Sequence, residues 1–474
     1  MLKEKLMPDR AFFRTMLAIT APIALQNLIS SSLNMVDTVM IGQLGETEIA
    51  SVGLANQITF LLHLFMFGVS SGSAIFTAQY WGSGDLKNVH RILGLGLTLA
   101  AAISGVFMVV SLAIPGVLLR IFSDDPVVIE LGADYLRIVS LSFVMMAISF
   151  TFSSVMRSIG QPRPPMYISA MALLMNTGLN YLLILGNFGF PALGVRGAAI
   201  ATLASRIFEW LAMLWLIYGR QHVLAARLRQ LLDFNKIYVM KFLRTTIPVV
   251  LNESLWAIGV TLYVVVYARM GTHVVASVNI AATIERLSMV FVFGMANATA
   301  IMIGNQIGAN RLDTAWTYAR RFARLAPLGG VLVGLVLVLL SPLFLSFYQV
   351  APAVKAASRA ILIVYGVTMP VRVFNLVNIV GILRSGGDTR FALMLDVVGV
   401  WLIAVPLAFL GGLVLRLPVE QVVMLIAIEE VFKATLGYFR FRSRKWLNRL
   451  VDSPVPGDAL PENELEAAQP SDLI

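Results

Sequence analysis

The stretch Pro22–Asp37 reads P-I-A-L-Q-N-L-I-S-S-S-L-N-M-V-D. It lies inside a long apolar segment, yet it carries three carboxamides, Gln26, Asn27 and Asn34, and one carboxylate, Asp37. An ionised carboxylate in hydrocarbon is costly without partners, so an acid inside a membrane helix indicates a functional site. We therefore expect Asp37 to have a function and to find its partners on other helices.

The composition around this stretch is that of a polytopic membrane protein. Of 474 residues, 58% are hydrophobic and only 13% are charged, against about 25% charged in a soluble protein. Cysteine is absent and the four histidines are scattered, which argues against a metalloenzyme and against thiol chemistry. The sequence has no G-x-x-x-x-G-K-[ST] nucleotide loop and no recognisable catalytic spacing, so we expect neither an enzyme nor a bound cofactor.

Apolar stretches long enough to cross a bilayer recur along the chain, since a span needs about 20 residues. The sequence predicts an all-α protein with twelve transmembrane helices near 15–39, 47–79, 92–119, 129–156, 166–186, 196–218, 244–269, 274–303, 325–347, 356–383, 391–411 and 419–438.

The basic residues between these segments predict the orientation. Connections on the side of the N-terminus hold 25 lysines and arginines, and those on the other side hold 6. Because basic loops stay in the cytoplasm, we expect a multi-pass protein of the inner or plasma membrane with both termini cytoplasmic. The net charge of +10 is then a topology signal, and no nucleic-acid partner is expected.

The chain also repeats itself. Residues 45–58, G-E-T-E-I-A-S-V-G-L-A-N-Q-I, match residues 271–284, G-T-H-V-V-A-S-V-N-I-A-A-T-I, at six of fourteen positions and an offset of 226. The same offset pairs Pro22 with Pro248. Six helices is an even number, so two such halves have the same orientation, an arrangement known in transporters whose sites lie near the membrane midplane.

The repeat divides the sequence into five predicted regions. They are a cytoplasmic N-terminus (1–14), an N-lobe (15–218), a basic cytoplasmic linker (219–243), a C-lobe (244–438) and a cytoplasmic tail (439–474). The tail is acidic and predicted to be disordered from about residue 451.

Several motifs, in this order and with this duplication, resemble multidrug and toxic compound extrusion (MATE) transporters of the NorM-like branch. They are P-I-A-L-Q-N-L-I at 22–29, V-D-T-V-M-I-G-Q-L-G at 36–45, the segment N-T-G-L-N-Y-L-L-I-L-G-N-F-G-F-P-A-L-G-V-R-G-A-A-I-A-T at 176–202, L-R-S-G-G-D-T-R at 383–390 and E-E-V-F-K at 429–433. The resemblance covers nearly all of residues 11–445.

The resemblance implies a V-shaped pair of six-helix lobes that exports organic compounds in exchange for Na⁺ or H⁺. It implies that Asp37 is the coupling acid and that Asn176, Asn180 and Thr202 are its partners. Related proteins of the DinF type usually have Asp where this chain has Asn180, so the resemblance argues against a DinF-like proton mechanism that uses two acids.

The residue types of this set fit a monovalent ion. Asn176 and Asn180 are four residues apart and therefore share one helix face. One carboxylate with amide and hydroxyl oxygens suits Na⁺, or a proton, since Ca²⁺ prefers more carboxylates. Burial disfavours the charged form of a carboxyl group, which makes Asp37 a candidate proton carrier as well. Polar groups that only join helices are the alternative interpretation of the two asparagines.

The C-lobe supplies a second candidate site for a cation or for substrate. Glu253 and Glu285 fall deep in their predicted helices, and Asn375 and Asn378 share one face of the tenth helix. By contrast, Glu429 and Lys433 have the i,i+4 spacing of an ion pair within a helix and are interpreted as structural, together with Asp396 and Glu430.

We therefore predict a monomeric, cation-coupled antiporter that exports cationic or amphipathic small molecules by alternating access. The alternative is a lipid-linked precursor flippase of the wider superfamily, which typically lines its cleft with arginine or lysine for the pyrophosphate group.

Overall fold

All regular structure between residues 10 and 451 is helical in the computed structural model, which describes these residues except the side chains of residues 33 and 34. The predicted acidic tail beyond residue 451 and the first nine residues lie outside the described part. The helices are α1 (Arg10–Gly42), α2 (Glu46–Gly82), α3 (Leu86–Ala113), α4 (Pro115–Arg120), α5 (Pro126–Ser140), α6 (Phe143–Ser158), α7 (Arg163–Leu183), α8 (Gly194–Leu214), α9 (Leu228–Leu231), α10 (Lys236–Met270), α11 (Thr272–Gly308), α12 (Leu312–Ser346), α13 (Pro352–Leu376), α14 (Thr389–Val397), α15 (Val405–Phe409), α16 (Val419–Ile426) and α17 (Ile428–Arg442).

Wide π-helical turns extend several of these helices. They are Trp215–Gly219 after α8, Val377–Leu383 after α13, Val398–Ala404 between α14 and α15, and Leu410–Val414 after α15. Such turns are rare and often mark functional regions of a helix.

The predicted spans correspond to helices throughout the described residues. Nine helices there are long and apolar enough to cross a membrane, and α5 with α6 form a tenth span bent by 52°. The two predicted segments not in that set, 166–186 and 419–438, are helical as α7 and as α16 with α17. The all-α, duplicated membrane fold is thus confirmed, and twelve spans is consistent with it.

The internal repeat extends to the helix boundaries. Helices α2 and α11 each have 37 residues and begin at Glu46 and Thr272, at the offset of 226. Helices α5 and α13 begin at Pro126 and Pro352, again at that offset. Both helices begin at a proline because proline suits the first turn of a helix. The glycines before α2 and α11, Gly45 and Gly271, both have positive φ, 148° and 133°, which a residue with a Cβ rarely adopts.

The chain forms two compact units. The first, here called the N-unit, comprises residues 25–77 and 86–243. Its apolar core includes Leu62, Phe143 and Ala199, and helix α8 packs against α5, α6 and α7. This packing positions the polar faces of α7 and α8 inside the unit.

The second unit, the C-unit, comprises the described residues 10–24, 78–85 and 244–451. Helices α1 and α2 therefore pass from one unit to the other, after Ala24 and after Thr77. Two glycines allow the 78–85 segment to pack closely against α11 of the C-unit. A Cβ on Gly82 would collide with the Asn305 backbone, and a Cβ on Gly308 would collide with the Gln79 backbone. Such close backbone approach needs residues without side chains.

Candidate functional site

The structure brings Asp37, Asn176, Asn180 and Thr202 together in the N-unit. Asp37 is half-buried on α1, whereas Asn176 and Asn180 are buried on α7. Asn180 Nδ2 donates to Asp37 Oδ1 at 2.8 Å. The one-turn spacing of the two asparagines places both amides on the face of α7 that meets the carboxylate.

The amide orientation of Asn176 follows from its neighbours. With the nitrogen towards the carboxylate, Nδ2 donates to Asp37 Oδ2 at 2.8 Å and Oδ1 accepts from the Thr202 backbone N–H at 3.3 Å. In the opposite orientation Asn176 Oδ1 accepts from Asn180 Nδ2 at 3.3 Å and Nδ2 faces the Thr202 hydroxyl at 3.5 Å. We adopt the first orientation because it satisfies donor and acceptor alike.

Asp37 Oδ2 thus accepts from Asn176 and Oδ1 accepts from Asn180, with a longer contact of 3.3 Å from Asn176 to Oδ1, and both donors are neutral. Within residues 10–451 no ion pair joins Asp37 to a lysine or arginine. The buried Asn180 Oδ1 has no hydrogen-bond partner there either. Two carboxylate oxygens and a free amide oxygen form a set of hard oxygen ligands with one negative charge, which suits a monovalent cation or a proton.

A cavity of about 430 Å³ opens beside this set. Its polar wall holds Asp37, Asn176, Asn180 and Thr202, and its apolar wall is aliphatic and aromatic. The apolar wall includes Ile41, Val52, Phe60, Val139, Phe143 and Met146. This is the mixture of apolar surface and few polar groups that small-molecule sites usually have.

Three side chains that sequence reasoning did not include also belong to the site. Tyr135, His63 and Arg206 line the same cavity, and Arg206 is close enough for its charge to act on Asp37. Arg206 is a basic residue within α8. Its spacing of four from Thr202 on α8 was the signal that would have placed it on the same face.

A second group of polar side chains lies beside the first on α1, α7 and α8. Arg206 Nη1 donates to Glu209 Oε2 at 2.7 Å, and Ser169 Oγ donates to Glu209 Oε1 at 2.8 Å. Gln26 Nε2 in turn donates to Ser169 Oγ at 3.0 Å. Glu209 is buried, with 7% of its surface exposed. Sequence reasoning missed it, although its spacings of seven from Thr202 and three from Arg206 were the signal that would have placed it on the same face of α8.

The acids of the C-unit have different partners. Arg384 Nη2 donates to Glu253 Oε1 at 2.9 Å, and the arginine side chain is only 3% exposed. Arg372 Nη1 lies 2.8 Å from Glu285 Oε1 and its Nε lies 3.8 Å from Glu430 Oε1. Each predicted C-lobe acid is therefore paired with an arginine.

The two C-lobe asparagines, Asn375 and Asn378, face α17. Asn375 Nδ2 donates to Glu430 Oε2 at 2.7 Å. Asn378 is 1% exposed, lies in the π-helical turn after α13, and has no hydrogen-bond partner among the described residues for either amide atom. A Cβ on Gly437 of α17 would lie 2.7 Å from its Nδ2. The asparagines thus contact the same helix but do not share one ligand position.

Three of the residues interpreted as structural, Glu429, Lys433 and Asp396, form their own cluster, whereas Glu430 contacts Arg372 and Asn375. Lys433 Nζ lies 3.7 Å from Glu429 Oε1, as the i,i+4 spacing predicts, and 3.4 Å from Asp396 Oδ1. Asn252 Nδ2 donates to Asp396 Oδ2 at 2.9 Å. These contacts join α10, α14 and α17, which explains a buried lysine.

The family of the chain follows from a family model that matches it twice. The MatE model matches residues 22–182 and again residues 248–410. The chain belongs to the MatE family. The two matches of this MatE protein begin 226 residues apart, which is the offset of the internal repeat, so the duplication predicted from the sequence is confirmed.

Curated relatives cover almost the whole MatE chain. An uncharacterized transporter, YisQ, of Bacillus subtilis is 25% identical over 446 residues, covering 93% of this chain and 96% of the relative. A probable multidrug resistance protein NorM of Thermotoga maritima is 26% identical over 451 residues, covering 92% and 94%.

Solved structures confirm the fold of this MatE protein. A mutant of the Vibrio cholerae MATE transporter VcmN superposes with a TM-score of 0.83 at 18% identity, covering 91% of this chain and 98% of that one. A MOP superfamily transporter of Pyrococcus furiosus gives 0.82 at 20% identity, covering 91% and 95%.

Proposed function

We propose that this protein is a cation-coupled antiporter that exports cationic or amphipathic organic compounds by alternating access. Its family and its relatives, several of them named multidrug resistance proteins, support export of organic compounds. The observation that carries the coupling is that Asp37 is held by two neutral amides at the wall of a 430 Å³ cavity. Such a carboxylate lacks a permanent counter-ion and so favours a mobile one.

The proposed cycle gives Asp37 one exchangeable ion, Na⁺ or H⁺. When the ion binds from outside, it neutralises the carboxylate and changes the relative free energies of the outward- and inward-open states, as any coupling requires. Release on the cytoplasmic side restores the charge. We propose cytoplasmic termini and a monomeric transporter, in keeping with the distribution of basic residues.

The C-unit set of Glu253, Glu285, Asn375 and Asn378 is proposed as a second place for a cation or for substrate. A cation that binds Glu253 or Glu285 has to displace Arg384 or Arg372. These two acids are therefore weaker candidates for the coupling-ion site than Asp37. The same pairing bears on the flippase alternative, because a guanidinium that is bound to a carboxylate is not free to bind pyrophosphate.

The test is transport by the purified protein in proteoliposomes, with Na⁺ and pH gradients imposed separately and a fluorescent organic cation as substrate. Asp37→Asn is expected to abolish gradient-driven export, because a neutral amide takes up no proton and offers Na⁺ no negative charge. Asp134→Asn is the matched control, since Asp134 lies in the same unit but pairs with Arg196 at 2.6 Å, outside the cavity. Full gradient-driven export by the Asp37 variant would refute the proposal.

A further inference from the structure

The ion pair between Arg206 and Glu209 lies next to the Asp37 cavity but has no part in the proposed cycle. Arg206 lines that cavity, whereas its guanidinium is bound to Glu209 at 2.7 Å. Its side chain is 30% exposed and that of Glu209 is 9% exposed. The arginine thus has room on the side of the cavity, and the glutamate does not.

We infer that Arg206 is a tethered cation that alternates between Glu209 and Asp37, and so replaces the coupling ion at Asp37 when that ion leaves. The inference rests on the proposed function, because it concerns what happens at Asp37 after ion release. Arg206 binds Glu209 when the coupling ion occupies Asp37, and it binds Asp37 when the ion has left.

The positions on α8 allow this exchange. Thr202, next to the Asn176 amide, and Arg206 are four residues apart, which is about 6 Å of helix on one face. Glu209 follows three residues later on the same face. A rotation of the long arginine side chain, without movement of the helix, is therefore enough to turn the guanidinium from Glu209 towards the level of Asp37.

The energetic need for the exchange comes from the empty state. A bare carboxylate in low dielectric is strongly unfavourable, and two neutral amide donors compensate only part of that cost. A guanidinium can supply the missing positive charge, and it stays protonated in a protein environment. The exchange is therefore a change of position and needs no proton transfer from the arginine.

Glu209 has what it needs to release its arginine. Ser169 Oγ donates to it at 2.8 Å, and Gln26 Nε2 donates to Ser169 at 3.0 Å. These donors come from α7 and α1, so Glu209 keeps a hydrogen bond after Arg206 leaves. Two further ionisable side chains, His63 and Tyr135, line the cavity near this pair. His63 is close enough for the charges of Arg206 and Glu209 to act on it, and Tyr135 lies near Arg206 and Asp37.

This arrangement makes the ion and Arg206 competitors for Asp37, and the competition predicts opposite effects for two substitutions. Arg206→Gln removes the competitor, so the cation should bind more tightly and leave more slowly. Glu209→Gln removes the alternative partner of Arg206, so the arginine should occupy Asp37 more often and the cation should bind more weakly. A purely structural ion pair predicts the same direction for both.

The experiment measures half-saturating cation concentrations of the purified full-length protein. Radioactive Na⁺ binding is measured at fixed pH, and proton uptake is measured with a pH indicator in the absence of Na⁺. We expect a decrease of roughly tenfold for Arg206→Gln and an increase of roughly tenfold for Glu209→Gln, the size of change that one hydrogen bond to a charged group gives. Arg206→Gln should also slow the maximal rate of exchange.

Two further variants make the result decisive. The double variant Arg206→Gln, Glu209→Gln removes both charges and leaves no unpaired buried acid, so it should fold even if Arg206→Gln alone does not. It should bind the cation as tightly as Arg206→Gln alone. Arg196→Gln is the matched control, since Arg196 forms an exposed pair with Asp134 in the same unit, and it should leave binding unchanged.

The outcomes separate this inference from the proposed function. If neither Na⁺ nor H⁺ binding of the parent is lost in Asp37→Asn, the proposed coupling site is wrong and the inference falls with it. If binding depends on Asp37 but Arg206→Gln, or the double variant in its place, weakens it or leaves it unchanged, only the tethered-cation inference is overturned.

Discussion

The acids of the two units differ in the charge of their partners. Asp37 in the N-unit accepts hydrogen bonds from two neutral amides, whereas Glu253 and Glu285 in the C-unit are bound by arginines at 2.9 and 2.8 Å. An acid bound by amides keeps its negative charge uncompensated and attracts a mobile cation. An acid bound by a guanidinium is already neutralised, so burial of an acid does not by itself identify a coupling site.

The largest effect should come from breaking a C-unit pair. Arg384→Met leaves Glu253 without its cation, and removing one partner of a buried pair costs about 3–5 kcal/mol. We expect a corresponding loss of thermal stability, measured by size-exclusion chromatography after heating in detergent. Asp37→Asn, which breaks no ion pair, should change stability far less.

A double variant controls for the size of the removed side chain. Arg384→Met combined with Glu253→Gln removes both charges and should recover most of the lost stability. If Arg384→Met alone were as stable as the parent, the C-unit acid would not depend on its arginine and the contrast between the units would be wrong.

A smaller effect should distinguish the packing of the two regions. A Cβ on Gly381, in the π-helical turn beside Asn378, would lie 2.8 Å from the Thr299 side chain, whereas nothing lies within 4 Å of a Cβ on Gly178, between Asn176 and Asn180. Gly381→Ala should cost about 1–3 kcal/mol through overpacking. Gly178→Ala should stabilise α7 by about 0.5–1 kcal/mol.

The same melting measurement checks both glycine variants, and each serves as the control of the other. A larger loss for Gly178→Ala than for Gly381→Ala would mean that the surroundings of the Asp37 site are as tightly packed as those of Asn378.

The smallest expected effect is on the pH dependence of stability. It involves His222 and Asn448, which occupy equivalent positions after the last helix of each repeat. His222 accepts from the Leu224 N–H at Nδ1 and donates through Nε2 to Gln161 Oε1 at 2.6 Å, while the repeat-related Asn448 donates to the Gly386 carbonyl at 3.3 Å. Burial lowers the pKa of His222 from its ordinary value of 6.5.

A lowered histidine pKa means that the unfolded chain binds more protons than the folded one just below pH 6.5. The stability contribution of His222 is then fully present above that pH and is lost as the pH falls towards the folded-state pKa. Melting temperatures of the parent should fall over that interval, and His222→Gln should reduce the fall. Asn448→Ala should lower stability equally at each pH, and an equal pH slope in the parent and in His222→Gln would contradict the assignment.

Much of the fold could be predicted because its signals are local or periodic. The apolar segments are visible in any window of about 20 residues, and the repeat is visible as an offset of 226. The Asp37 site was also predictable in part: the resemblance pointed to Asn176, Asn180 and Thr202, and the four-residue spacing placed both amides on one face of α7. The role of the site is a proposal that the transport experiments test.

The remaining parts of the site depend on contacts between distant residues. Glu253 and Arg384 are 131 positions apart, and neither spacing nor composition indicates that they meet. The Gln26–Ser169–Glu209 chain likewise joins three helices. The close backbone approach of the 78–85 segment to α11 needs Gly82 and Gly308, whose neighbours Asn305 and Gln79 lie more than two hundred residues away in the chain.

Hydropathy and the repeat offset predict a duplicated helical membrane protein with an acid in its first helix, because both signals are read directly along the chain. The pairing of Glu253 and Glu285 with arginines, and the position of Asp37 between two neutral amides at the wall of a cavity, depend on tertiary contacts. The physical reason is that electrostatic energy depends on the distances between charges, and folding sets those distances between residues far apart in the chain.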